Sequence, residues 1–176
     1  MSNPLVIEGN CWKFGHNIPT DLITPTAYVM RGMQELRKHV LETANPEFPQ
    51  NVQPGDIVVA GRNFGCSSGR AIAPKALKAT LIGGILAEFF SRTFYRNGPE
   101  IGLPILEVPG IHAMVETGHR LRVDFEHGRV ENLTTGQAIQ GTAPSGVLLD
   151  MLLAGGLIPL LKSDAGRALL AGQIQR

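Results

Sequence analysis

Cysteine is scarce in this chain: its 176 residues include two, Cys11 and Cys66, at no paired spacing. Two thiols exclude a four-cysteine zinc site or an iron–sulfur cluster held by this chain alone, and in a reducing compartment they stay free. The five histidines (His16, His39, His112, His119 and His127) are scattered and form no His-x-x-x-His pair, so no metal site of the chain's own is expected. Charge of one sign is missing as well. Sixteen Lys and Arg against fifteen Asp and Glu leave a net charge of +1, aromatics make up 6%, and no basic run occurs. That balance excludes the electrostatic footprint of a nucleic-acid surface or an anionic-membrane surface. No apolar run reaches the roughly 18 residues of a membrane span. The stretch 147–161 is broken by Asp150, Gly155, Gly156 and Pro159. The first residues, Met1-Ser2-Asn3-Pro4-Leu5-Val6-Ile7-Glu8, lack the charged and apolar regions of a signal peptide, and a cytoplasmic protein is expected.

What is present is a globular composition, 43% hydrophobic and 18% charged, at a length that suits one domain over 1–176. The 21 glycines and 12 prolines are spread along the chain, which means many tight turns, and no internal repeat is found. Residues 4–14 read as a strand and Gly15–Pro25 as a loop. Met33, Leu36, Val40 and Leu41 fall at helical spacing over 31–43. A Pro-rich connector spans Asn45–Pro54, with a turn at Gln53-Pro54-Gly55-Asp56. A strand at 56–60 leads through a Gly/Ser loop to a helix over about 70–79. The apolar run Leu81–Ala87 suits a buried parallel strand. A short helix over Ser91–Asn97 is expected to end at Gly98-Pro99, and a strand covers Leu103–Val108 around Pro104. Ile111–Thr117 suits one or two helical turns. Leu121–Glu126 and Arg129–Leu133 alternate about His127-Gly128 as a hairpin. Pro144-Ser145 opens a helix capped by Ser145 or a neighbour; Gly155-Gly156 ends it, and Leu157–Leu161 returns as an extended piece. Strand–helix alternation followed by a hairpin predicts an α/β layered domain with a mixed sheet, whose ligands bind outside the carboxyl ends of its strands.

The loop after the second strand is Gly61-Arg62-Asn63-Phe64-Gly65-Cys66-Ser67-Ser68-Gly69-Arg70. Small residues between a strand and a helix N-terminus leave backbone N–H groups pointing outward, where the helix dipole favours anions. Arg70 adds a planar fork for a carboxylate or phosphate. A serine there can act as a base if its alkoxide is stabilised by this field, and the thiol of Cys66 would be acidified by it. The three residues between Cys66 and Arg70 do not match a cysteine phosphatase loop. Gly65-Cys66-Ser67-Ser68-Gly69 does match Gly-x-Ser-x-Gly with Ser67 central, the pattern of a serine hydrolase elbow, without a marked acid–histidine pair. The bland alternative is a loop that turns the chain and caps a helix, with Arg70 solvated and Asp21 closing an Asx turn.

The stretch Gly55–Arg70, with Ala73-Pro74-Lys75-Ala76-Leu77 after it, resembles the small subunit of 3-isopropylmalate dehydratase, itself similar to the swivelling C-terminal domain of aconitase. The family usually reads Asn-Phe-Gly-Cys-Gly-Ser-Ser-Arg-Glu-His-Ala-Pro. Asn17-Ile18-Pro19-Thr20-Asp21-Leu22-Ile23 resembles its Asn-x-x-Thr-Asp loop, and 87–97 with Gly102-Leu103-Pro104 match further segments, so residues 12–108 carry the likeness. The resemblance implies a swivelling β/β/α domain that closes over a large subunit carrying a [4Fe–4S] cluster, no cofactor being held by this chain. It implies a hydro-lyase that dehydrates a small hydroxy-diacid and rehydrates it at the neighbouring carbon, with the cluster's open iron as Lewis acid. By the motif, Ser68 is the base, Arg70 the carboxylate clamp, and Asp21 supports the acid–base network; Ser67 joins the substrate-binding set.

The chain departs from the pattern at Ser67, Gly69 and Ala71-Ile72, and His16 stands where an aspartate is common. These changes bear on the substrate, leaving related dehydratases for dimethylmalate, citramalate or a homoaconitate-type acid as alternatives, beside a non-catalytic anion-binding swivel module. In the family the segment after the Thr-Asp loop sets substrate choice; here it is Tyr28-Val29-Met30-Arg31. Val29 and Met30 suit an apolar substituent, while Arg31 either meets an extra carboxylate or is solvated.

Overall fold

The computed structural model describes residues 5–170. Strand β1 (Val6–Lys13) covers the expected first strand, whose Pro4 lies outside the described residues. The expected loop 15–25 carries one helical turn, α1 (Thr20–Ile23), followed by α2 (Thr26–Val29). Over 31–43 the helix is broken: α3 (Met33–Leu36) passes into a 3₁₀ turn over Arg37–His39 and stops at Val40. Leu41 adopts a left-handed φ of 58°, and its N–H reaches the Ile23 carbonyl at 3.0 Å. The four apolar positions still face inward, Leu36, Val40 and Leu41 being fully buried. The helical spacing thus reported burial correctly and continuity wrongly. The connector 45–54 contains α4 (Phe48–Asn51), held by the fully buried Phe48.

β2 (Ile57–Ala60), α5 (Ile72–Ala79) and β3 (Gly84–Ala87) form the expected strand–helix–strand unit. α6 (Arg92–Glu100) runs through Gly98-Pro99 instead of ending there. A Cβ on Gly98 would lie 2.8 Å from Ile105 Cδ1, so this glycine serves close packing of the helix on the next strand. Pro99 sits in the last turn, where its fixed φ is helical. Then follow β4 (Ile105–Glu107), α7 (Ile111–Met114), and the hairpin β5 (Arg120–Asp124) and β6 (Arg129–Asn132). β7 (Gln137–Gln140) was not expected; it is too short and polar to show a period. α8 (Val147–Ala154) starts from Gly146, the neighbour of Ser145, with no side-chain cap. Beyond Gly155-Gly156 the chain is not extended but helical, in α9 (Leu157–Lys162) and α10 (Asp164–Leu170). Pro159 falls in the first turn of α9, where a missing N–H costs nothing.

The sheet order is β4-β3-β2-β1-β5-β6-β7, parallel from β4 to β1 and antiparallel from β1 onward. The sheet curls: just beyond β7, the Thr142 N–H bonds the Glu107 carbonyl of β4 at 2.8 Å. Alternation divides the core. Ile57, Val59, Leu86 and Leu106 face Leu121, Val123 and Val130 inside the curl, with Ile111 and Leu152 closing it. On the other side Val58, Ala60, Ile85 and Ile105 pack against Leu36, Phe48, Leu77 and Phe94 of the helices. The result is a β/β/α layering of α/β class with a mixed sheet, as expected. Among the described residues no helix is long and apolar enough to cross a membrane.

Candidate functional site

Two loops leave the carboxyl ends of adjacent parallel strands, β1 and β2, and run side by side. Backbone bonds join them along their length: Gly61 N–H to Gly15 O at 3.0 Å, Asn17 to Arg62 at 2.8 Å, Gly65 to Ile18 at 2.8 Å, and Thr20 to Cys66 at 2.9 Å. Asn63 Nδ2 donates to Asn17 Oδ1 at 3.1 Å, and the Arg62 N–H donates to His16 Nδ1 at 2.9 Å. This pairing delivers Asp21, at the start of α1, to the same place as Ser67 and Ser68. Topology alone does this, because the two segments are remote in sequence.

The second loop is tightly wound. Asn63, Gly65 and Ser67 have φ of 63°, 75° and 83°, all in the left-handed region. Gly65 is required twice over, since a Cβ there would also lie 2.3 Å from the Phe94 ring. Ser67 takes a conformation that costs a non-glycine residue about 1 kcal/mol or more, at the position where the family motif usually has glycine. The loop is anchored beneath by Phe64, fully buried between Phe90 and Phe94 at ring distances of 6.0 and 5.2 Å. From the side, Ser91 Oγ donates to Gly65 O at 2.6 Å and Asn97 Nδ2 to Gly69 O at 3.2 Å. Ser68 Oγ accepts the Arg70 backbone N–H at 3.3 Å, a contact that favours negative charge on that oxygen.

A cavity of about 380 Å³ opens at this point. Asp21, Val29, Ser67, Ser68 and Arg70 line it, five of the residues the sequence singles out. Thr20, Thr24, Thr26 and Ile72 line it as well and were missed. The only signal for the threonines was their place around the Thr-Asp loop; Ile72 appears in the sequence only as a departure from the family motif. The other three residues of the 28–31 segment lie outside this lining. Tyr28 stacks on His39 at 3.5 Å between ring centres, the Arg31 guanidinium sits over the Tyr28 ring at 5.1 Å, and Met30 is 92% exposed. His39 itself is held above the usual histidine range by its hydrogen bond to Glu42, against a smaller opposing effect of burial and with help from Glu35.

The two thiols differ. Burial pushes the Cys11 thiol up to about 12, which makes it inert; Cys66 is half-buried in the loop. Neither lines the cavity. Among the described residues no group of three or more His, Cys, Asp or Glu is placed to hold a metal ion, so the donor set of these residues does not fit an iron–sulfur cluster. No histidine lines the cavity either. His16 is exposed, committed to the Arg62 N–H and set against His112 at 4.7 Å between ring centres.

Comparison with known proteins adds to this geometry. Residues 24–109 match the aconitase C-terminal domain family. The isopropylmalate/citramalate isomerase small subunit of Methanocaldococcus jannaschii is 46% identical over 158 residues, 89% of this chain and 94% of that one. The 3-isopropylmalate dehydratase small subunit 1 of Methanopyrus kandleri is 43% identical over 93% of this chain and 96% of its own length. The crystal structure of 3-isopropylmalate dehydratase from Methanocaldococcus jannaschii superposes with a TM-score of 0.85 at 32% identity, covering 96% of this chain and 98% of the other.

Proposed function

The chain belongs to the 3-isopropylmalate dehydratase small-subunit family, and on that premise we propose that it is the small subunit of a two-subunit hydro-lyase interconverting 2-isopropylmalate and 3-isopropylmalate. The observation that carries the reading is the convergence of Asp21, Ser68 and Arg70 on one cavity. In this proposal Arg70 holds a substrate carboxylate through its planar fork. Ser68 Oγ takes that proton; the Arg70 backbone N–H at 3.3 Å stabilises the oxygen as it acts. Asp21 completes the proton traffic, and Ser67 offers a further hydroxyl. The [4Fe–4S] cluster is assigned to the large subunit, the partner that the relatives' names imply, and the domain is read as swivelling against that partner. The reading carries a cytoplasmic location with it.

A second reading has one observation in its favour: the relative from Methanocaldococcus jannaschii that is named for citramalate as well as isopropylmalate. Citramalate is therefore kept as a second substrate. A serine hydrolase loses ground because no histidine lines the cavity beside Ser67. The test is an assay of this chain co-expressed anaerobically with its large subunit, following unsaturated-acid absorbance with isopropylmalate, citramalate, 2,3-dimethylmalate and homocitrate offered separately. Turnover of isopropylmalate is expected. A stable, cluster-loaded complex that does not turn over isopropylmalate would sink the proposal, and activity on citramalate alone would favour the second reading.

A further inference from the structure

The cavity lining is hydroxyl and charge except for two side chains, Val29 from α2 and Ile72 from the first position of α5. Both are half-buried and rest on the helix-side core, so each is supported from behind and shows its remaining surface to the cavity. Ile72 opens the longer of the two helices, eight residues against four. Its backbone is fixed by the helix, and its β-branched side chain has few rotamers there. It also follows Arg70 by two residues, so that the carboxylate clamp and this apolar surface ride on one short segment. Among the described residues Arg70 is the one cation of the lining, and the Arg31 guanidinium sits over the Tyr28 ring at 5.1 Å.

We propose that Ile72 is a specificity-determining residue: with Val29 it forms an apolar wall that receives a branched alkyl substituent of the substrate. The inference rests on the function proposed above and goes beyond it in naming a residue outside the 28–31 segment and the substituent it reads. A substrate with an extra carboxylate on this side would meet Ile72 instead of a cation, and is disfavoured for that reason.

The experiment uses the cluster-loaded complex with the large subunit, wild type against Ile72→Ala and Ile72→Val. 3-Methylmalate and 3-isopropylmalate are compared by kcat and KM. Ile72→Ala is expected to lower the isopropyl-to-methyl ratio of kcat/KM by about tenfold or more, mainly through KM, with Ile72→Val in between. Circular dichroism and co-purification establish that both variants fold and assemble. An equal loss on both acids, or an unchanged ratio, overturns the inference and leaves the hydro-lyase standing. A wild-type complex that turns over neither acid overturns the functional proposal and the inference with it.

Discussion

The two halves of the sheet use their polar groups in opposite ways. On the outer face of the antiparallel half, charges answer one another: Arg129 Nη2 lies 2.7 Å from Glu131 Oε1, Arg122 Nε 3.7 Å from Glu8 Oε1, and Asp124 Oδ2 2.9 Å from His127 Nδ1. A hollow of about 360 Å³ lies there, nearly as large as the cavity at the parallel end, but four of its five lining residues are members of these pairs. At the parallel end the hydroxyls of Ser67 and Ser68, with Asp21 and Arg70, surround a hollow of about 380 Å³. Topology explains the contrast. A hairpin returns at once, so its polar groups cap its own backbone; Asp124 Oδ1 accepts the N–H groups of Glu126 and His127 at 3.1 and 3.0 Å. Parallel strands return through helices, which leaves neighbouring loops side by side with side chains to spare. Volume therefore does not separate the two hollows; the pairing of their lining charges does.

The sharpest way to test this contrast is Ser68→Ala in the complex, expected to lower kcat by about 10³-fold with little change in KM. Arg122→Ala on the antiparallel face is its control, expected to leave kcat/KM unchanged and stability within about 0.5 kcal/mol. Near-normal turnover by Ser68→Ala would remove the distinction between the two faces. Next comes Gly65→Ala. The forced left-handed φ costs about 1–3 kcal/mol, the clash with Phe94 adds to it, and the displaced loop lowers activity about 10²-fold. Chemical denaturation and steady-state kinetics check both effects. Arg70→Lys keeps the charge but loses the fork, so kcat/KM should fall about tenfold, chiefly in KM. An equal fall in kcat with KM unchanged would point away from a carboxylate clamp.

The smallest effect belongs to the hairpin. Burial pushes the Asp124 carboxyl upward, but the hydrogen bonds from the His127 backbone and ring outweigh it and hold the group below its usual range. His127 is held above its usual range by the Asp124 hydrogen bond. The lowered aspartate contributes stability above its ordinary value near 3.9, lost as pH falls through its folded value. The raised histidine contributes below its ordinary value near 6.5, lost as pH rises through its folded value. The melting temperature should thus show a shallow plateau between about pH 4 and 6.5 that flattens in Asp124→Asn. The change is small because His127 is exposed and screened by salt, and activity on the plateau should not alter.

Much of this molecule is legible in the chain, for identifiable reasons. The buried strands Ile57–Ala60 and Gly84–Ala87 announce themselves by unbroken apolar runs, and the hairpin by alternation about His127-Gly128. The errors share one cause, which is reading punctuation locally. Gly98-Pro99 marks helix packing instead of a helix end, Pro159 starts a helix where an extended tail was expected, and Leu41 bends back to Ile23 where a continuous helix was expected. In each case a distant partner decides what the local residue means.

The site divides along the same line. The residues proposed to do chemistry on the second loop, Ser68 and Arg70, are legible in sequence, because they lie two apart on one strand-to-helix turn. That Asp21 stands beside them depends on the parallel pairing of β1 with β2, which zips two remote loops together. The fate of the 28–31 segment depends on tertiary contact too: Val29 turns into the cavity while Tyr28 is drawn onto His39. Ile72 becomes part of the wall for the same reason. A side chain's neighbours across space are fixed by how layers pack, and one chain's order of residues records only its neighbours along the backbone.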